Sequence, residues 1–424
     1  MTKQKNVYVL AGVLLAITGI IGYVAYRTRA VSTPRRRWRK YEGPDALPLD
    51  DTTCEQLQGI YRIEKGNNFF GDTAVVKCSY TVERNKKINR ISLFCEKNGT
   101  YIIAEAKKLN NTILLSAHWR KAAANGSGIV WLELTMQNGQ KNFSITGLYG
   151  DGDDLPAKPF SLTYERSLPK KRPLQIIGHR GGARNVDFLH VSENTTDMMK
   201  MAAQLGANGV EIDVRMTKDN VPVIFHDSFL SIHTVKGKIY GGLIHNHTLK
   251  ELQSIELRKG GRMPTLQECL HTILYETPLE MVWLDIKKEC DLEKIQKLQQ
   301  QYMQRAELIG RKLNIYIGVP DKVMLNCFKQ MDDYRNIPSL TELSPEVAEE
   351  INSEIWAPQY TSGTQKENVD KIHRQGRRAF VWSLDSRAMI KHYRMEGGFD
   401  GIVTNTPSVV AHWYYTNELT VSQE

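Results

Sequence analysis

From Leu174 onward the chain alternates short apolar, β-branched runs with helical patterns, and that alternation restricts its fold more than any other feature. The runs are LQIIG, GVEIDV, VPVIFH, MVWLDIK, NIYIGV, EIWAPQY, RRAFVWS and DGIVTN, eight in all. Helical periodicity fills most of the gaps, as at 195–205, 266–275, 292–306, 321–329, 346–352 and 369–375. Eight strand–helix units in about 250 residues predict an α/β fold, a closed (β/α)8 barrel of the TIM type. An open doubly wound sheet is the alternative, but no G-x-G-x-x-G turn follows the first run.

In such a barrel the reactive groups collect where strands end, on the C-terminal rim. Gly178-His179-Arg180-Gly181 stands directly after the first run. In GVEIDV the period of two puts Val210, Ile212 and Val214 on one face, and Glu211 and Asp213 on the other, toward the axis. MVWLDIK repeats the arrangement, with Trp283, Asp285 and Lys287 inward. Carboxylates held this close repel one another unless a cation lies between them. An all-oxygen set suits one hard divalent cation, Mg2+ or Ca2+. Lys287 is then placed for a phosphate oxygen. The third run ends in His226-Asp227, which brings a second histidine to the rim beside His179. Two histidines can supply the base and the acid that P–O cleavage needs near neutral pH. The plainer alternatives are a turn capped by His179 and a carboxylate pair satisfied by Arg or Lys.

The segments HRG at 179–181, ENT at 193–195, EID at 211–213, TKDNVPVIFHD at 217–227, PTLQE at 264–268, LDIK at 284–287 and VWS at 381–383 together resemble the motif series of the glycerophosphodiester phosphodiesterases. The resemblance covers residues 174 to about 410. It implies metal-dependent hydrolysis of glycerophosphodiesters, such as deacylated lipid head groups, to glycerol phosphate and an alcohol. It also implies Glu211, Asp213 and Asp285 as metal ligands, His179 and His226 as the acid/base pair, and Arg180 at the phosphate. Glu193 is expected to be a partner of Arg180 or a further metal-proximal carboxylate, and Trp382 is an accessory candidate. Three departures stand out. Residues 182–192 lengthen the loop after His179 into a flap that alters the substrate entrance. Asp285 stands where Glu is common, and Asn405 where Asp is common. Competing readings are phospholipase-D-like action on (lyso)phospholipids and a non-catalytic membrane-anchored binding protein. The intact set of histidines and carboxylates argues against the second.

The net charge of +9 suggests nucleic acid until it is located. Residues 1–40 hold nine Lys and Arg and no acid; subtracting them from 56 leaves 47 basic residues against 47 acidic ones. The folded part therefore carries no basic excess, and no nucleic-acid partner is expected. Residues 7–26 are uncharged, the length of helix that crosses ~30 Å of hydrocarbon. They are expected to form a single-pass membrane anchor, and the basic residues after them favour a cytoplasmic-facing catalytic domain. Residues 41–51 read as a linker. Residues 52–168 carry short β-branched and aromatic segments separated by turns, an all-β barrel or sandwich of unknown role, and 169–424 form the (β/α)8 domain. The six cysteines make no C-x-x-C pair and are expected to be free or structural thiols.

Overall fold

The computed structural model describes residues 2–135, 144–169, 173–237, 242–287 and 291–417, with side chains from Gly12 onward. Helix α1 (Thr2–Arg27) opens the chain. Among the described residues no helix is long and apolar enough to cross a membrane. The expected span over 7–26 is thus unsupported, and the side chains of 7–11 lie outside the described residues.

The all-β segment is a closed barrel rather than a sandwich. Its strands are β1 (Gly59–Lys65), β2 (Thr73–Glu83), β3 (Lys86–Cys95), β4 (Thr100–Leu109), β5 (Thr112–Lys121), β6 (Ser127–Thr135), β7 (Ser144–Tyr149) and β8 (Lys158–Arg166). Each pairs antiparallel with the next, and β8 closes on β1. Arg84 and Asn85, both at positive φ, make the tight turn between β2 and β3, whose twist matches that of the strands it joins. Val76, Leu93, Ile102, Leu115, Leu132 and Leu162 are fully buried in one cluster, so side chains fill the interior, as the girth of an eight-stranded barrel allows.

The second barrel is parallel. Strands β9 (Gln175–Gly178), β10 (Gly209–Met216), β12 (Met281–Ile286), β13 (Asn314–Val319), β14 (Ser339–Thr341), β15 (Ile355–Trp356), β16 (Arg378–Val381) and β17 (Gly401–Thr404) pair in sequence and close between β17 and β9. Between and after them lie α2 (Thr196–Gln204), α3 (Leu266–Glu276), α4 (Leu292–Leu308), α5 (Lys322–Lys329), α6 (Pro345–Glu350), α7 (Lys366–Arg374), α8 (Arg387–His392) and α9 (Pro407–Thr416). Two strands differ from expectation. VPVIFH supplies β11 (Pro222–Ile224), which lies antiparallel on β10 and is no barrel stave. Only residues 217–221 separate the two, too few for the crossover of a dozen or more that a parallel neighbour needs. The missing stave is β14, whose Ser339 and Thr341 turn into polar partners: Ser339 meets the Ser353 hydroxyl at 3.0 Å, and Thr341 donates to the Val319 carbonyl at 3.1 Å.

Val210, Ile212 and Val214 join the helix-facing core with Met199, Leu266 and Ile273, while Ile177, Trp283, Tyr316, Leu340 and Phe380 fill the barrel axis. Fully burying a side chain of this size stabilises by about 1.5–3 kcal/mol, so the alternation in β10 fixes its carboxylates inward. The two barrels share a further apolar cluster, in which Phe94, Tyr101 and Ile103 of the first meet Met198, Met201, Val410 and Trp413 of the second. The described cysteines, Cys54, Cys78, Cys95, Cys269 and Cys327, are free; Cys290 lies outside the described residues.

Candidate active site

Period two brings the acids together as the sequence requires. Asp213 and Asp285 are register partners across β10 and β12. One carboxylate oxygen from each of Glu211, Asp213 and Asp285 lies within 4.8 Å of the others. Burial, with Asp213 and Asp285 beside it, pushes the Glu211 carboxyl well up, and burial also raises Asp285. Asp213 behaves oppositely. Burial would raise it, but Lys287, His226 and Arg180 outweigh that and bring it down to about 2. The Lys287 ammonium donates to Asp213 Oδ1 at 2.8 Å and also pairs with Asp285. It was expected at a phosphate oxygen; here it bridges the carboxylates.

The turn after β9 aims a backbone donor at the same cluster. Arg180 adopts a left-handed conformation, φ 52° and ψ 42°, which costs a non-glycine residue roughly 1 kcal/mol. In return its amide N–H donates to Glu211 Oε2 at 2.8 Å, and its carbonyl accepts from the Asn194 amide at 2.8 Å. The turn is tight enough to need glycine at its root, since a Cβ on Gly178 would stand 2.8 Å from Gly182 Cα.

Each residue of the ENT segment has its own task. Glu193 pairs with the Arg180 guanidinium at 2.8 Å, the first of the two roles weighed for it. Asn194 donates its amide to Asp213 Oδ2 at 2.7 Å, and Thr195 caps α2 by accepting from the Met198 N–H. PTLQE is structural: Thr265 and Glu268 form the capping box of α3. Trp382 follows β16, packs against the axial core and donates its indole N–H to the Ala357 carbonyl at 3.0 Å.

The histidines flank this cluster. His179 Nε2 is 3.9 Å from Glu211 Oε2, and its Nδ1 is 2.7 Å from Asn405 Oδ1. Asn405 donates its own amide to Asp385 Oδ2 at 2.7 Å, which turns its carbonyl oxygen toward the ring. His179 Nδ1 therefore carries the proton, and Nε2 keeps its lone pair. Burial, followed by the Arg180 charge, lowers its pKa to about 4. His226 comes to the site from the end of β11 rather than from a stave. The Phe225 N–H donates to the Asp213 carbonyl at 2.9 Å, and His226 Nδ1 is 2.8 Å from Asp227 Oδ1.

Sequence reasoning missed two groups. Asp385, through Asn405, orients His179; Asn405 stands out in the sequence without a role, and the pairing arises only from the closure of the barrel between β17 and β9. Glu342 follows β14 on the rim, and burial together with Asp285 raises its pKa to about 8; it went unnoticed because its strand did. The flap 182–192 is held by Arg120 of β5, which donates to the Phe188 carbonyl at 3.3 Å and the Ser32 carbonyl at 2.8 Å.

Residues 179–409, more than half of the chain, match the model of the Glycerophosphoryl diester phosphodiesterase family. A glycerophosphodiester phosphodiesterase of Caldanaerobacter subterraneus subsp. tengcongensis is 28% identical over 251 residues, 55% of this chain and 95% of that protein. The glycerophosphocholine phosphodiesterase GDE1 of Eremothecium gossypii is 47% identical over 68 residues, 15% of this chain and 5% of its own length. Among solved structures, an Oleispira antarctica phosphodiesterase in complex with the product sn-glycerol-3-phosphate is 22% identical, covers 58% of this chain and 97% of that one, and has a TM-score of 0.43.

Proposed function

The chain belongs to the glycerophosphoryl diester phosphodiesterase family and is a phosphoric diester hydrolase of that type; on that premise we propose that Glu211, Asp213 and Asp285 hold a divalent cation, Mg2+ or Ca2+, and that His179 and His226 move the protons. The observation that carries the proposal is the meeting of three inward carboxylates with two histidines on one rim. The donor set fits the ion. Its oxygens are hard, and the three carboxylates, each with an oxygen within 4.8 Å of the others, concentrate negative charge at one point of the rim. When bound, such an ion draws charge from the phosphate oxygens and favours attack at phosphorus.

The protein's own groups do the rest. Arg180, held by Glu193, offers planar paired donors to a phosphate. His179, with Nδ1 committed to Asn405, presents Nε2 as the base for an attacking hydroxyl. His226, paired with Asp227, returns a proton to the departing alkoxide. In the scheme the family resemblance implies, a glycerol hydroxyl attacks first and water then opens the cyclic phosphate. Lys287, which pairs with Asp213 and Asp285, would be free to meet a phosphate oxygen once those carboxylates held a cation.

The excess of basic residues in 1–40 supports a further part of the proposal, attraction of the N-terminal segment to an anionic lipid surface on the cytoplasmic side. The test of the reaction is incubation with glycerophosphocholine and glycerophosphoethanolamine, with and without chelator. Glycerol phosphate should form only while divalent metal is present. Turnover that survives exhaustive chelation would remove the metal from the proposal.

A further inference from the structure

The first barrel turns one histidine away from its own core. On β5 the period of two sends Ala117 and Trp119 inward, so Ser116 and His118 lie on the outer face. There His118 stands between its cross-strand neighbours, Ile103 on β4 and Ile129 on β6. The outer face of a small barrel ordinarily meets water, but this part is covered. Residues 33–42 pass over it, with Trp38 stacked on Trp131 of β6 at 5.5 Å and 7°. The second barrel brings up His190, from the end of the flap, and Met201 of α2. Between them lies a cavity of about 680 Å3, within the size range of small-molecule sites.

The charge around this cavity is one-sided. His118 Nε2, His190 Nδ1 and Trp131 Nε1 are buried and have no hydrogen-bond partner among the described residues. Arg35, which also lines the cavity, has no ion pair among them. Two further cations stand behind the wall. Arg120 is 2% exposed and spends its donors on the Val31, Ser32 and Phe188 carbonyls. Lys259 is 5% exposed, and its ammonium has no partner among the described residues. Burial, followed by Arg120, His190 and Arg35, holds His118 down at about 3; burial, followed by Arg120, Arg35 and Lys259, holds His190 at about 4. The acids on the cavity wall are engaged or exposed: Glu42 pairs with Arg37, Glu83 and Glu105 pair with Arg90, and Asp197 faces solvent. Buried charge is normally paired, and basic groups converging from three elements suit an oxyanion with several acceptor oxygens and more than one charge, as a phosphate has.

We infer that this cavity binds a soluble phosphate monoester, with the phosphate among His118, His190 and Arg35 and a small organic body against Ile103, Ile129 and Trp131. The site is separate from the carboxylate rim and does not depend on the hydrolase reading. It gives the first barrel a task, because its groups come from three parts of the chain: β5, the segment before the barrel, and the flap. The middle of the flap is already fixed, by Arg27 of α1 on the Val186 carbonyl at 3.3 Å and by Arg120 on the Phe188 carbonyl. A phosphate between His118 and His190 ties its end to the first barrel as well, and its negative charge favours the protonated form of both rings.

The experiment uses the full chain, stripped of metal, and follows the imidazole proton resonances at pH 6 and low salt. The probes are sn-glycerol 3-phosphate and inorganic phosphate. His118→Gln and His190→Gln assign the two rings, and the rings of His179 and His226, assigned in the same way, report binding at the carboxylate rim separately. The His118 and His190 resonances should move together toward their protonated positions and saturate with one dissociation constant, tighter for the monoester than for inorganic phosphate. Arg35→Ala and His118→Leu should each weaken that binding by ~10-fold or more, the loss expected when a hydrogen bond to a charged group is removed. Turnover of glycerophosphocholine with metal, in phosphate-free buffer, should stay within ~2-fold in both variants, since neither residue touches the rim. Rings that show no saturation by ~10 mM of either probe overturn the inference. So does a response that both variants retain in full, and equal affinity for the two probes overturns the assignment of a monoester.

Discussion

Acid should loosen the joint between the two barrels through one histidine. His412 on α9 is buried. Its Nδ1 is 2.9 Å from an Arg387 guanidinium nitrogen, and its Nε2 is 3.2 Å from the Thr73 hydroxyl on β2. Arginine can only donate, so Nδ1 accepts and the single ring proton sits on Nε2, donated across the joint to Thr73. Burial, followed by the Arg387 charge, lowers the His412 pKa to about 3, against about 6.5 in an unfolded chain. Above pH 6.5 the ring is neutral in both states. Below it the unfolded chain takes a proton that the native state refuses, so stability falls as pH drops from about 6.5 toward 3. At pH 5 the unfolded ring is ~1.5 pH units below its pKa, a loss of about 2 kcal/mol relative to pH 8. Glu96, which accepts from the Thr73 hydroxyl at 3.4 Å, is present in wild type and variant alike, as are the other buried histidines. Denaturant unfolding of wild type and His412→Asn at pH 8 and pH 5 isolates the term. The wild type should lose about 2 kcal/mol more than the variant over that interval, and equal losses would refute the argument.

The remaining predictions concern the rim. His179→Ala and His226→Ala should each reduce turnover by roughly 10²–10⁴-fold with unchanged melting curves; near-normal rates in either would remove that histidine from the proton-transfer role. Glu211→Gln should weaken Mg2+ or Ca2+ binding in calorimetry and lower the rate in parallel, with partial recovery in excess metal. Equal affinity in wild type and variant would make the carboxylate cluster structural. Asn405→Leu frees the His179 ring from its anchor, and should lower kcat by about 10–100-fold with little change in KM. A rise in KM alone would mean that Asn405 contacts substrate.

The barrel was legible where strands are apolar and carry a face, and illegible where neither holds. GVEIDV and MVWLDIK announce both their direction and their inward acids, because five or six alternating residues leave one arrangement that buries the valines. Ser339-Leu340-Thr341 offers one apolar residue, and its neighbours are satisfied by partners far away in sequence, so nothing local marks a stave. Glu342 was lost with it. VPVIFH has the composition of a stave, but the short TKDN link before it can make only a hairpin. That link length was readable and outweighs the composition. Glu211, Asp213 and Asp285 followed from period two. The partners that tune them did not: Asn194 on Asp213, Asn405 and Asp385 on His179, and Lys287 between two acids all depend on which rim loops the closed barrel makes neighbours. The flap was evident from its length, whereas its docking on α1 and Arg120 belongs to tertiary structure.

The central claim is that the carboxylate rim, loaded with metal, cleaves the phosphodiester bond of a glycerophosphodiester. Phosphorus NMR of glycerophosphocholine with the full chain tests it most directly, because it identifies the product as well as the rate. With Mg2+ or Ca2+ the diester signal should decay into that of glycerol phosphate, and chelator should stop the conversion. Phosphocholine as the product, or a diester signal that persists with metal and folded protein present, would contradict the account.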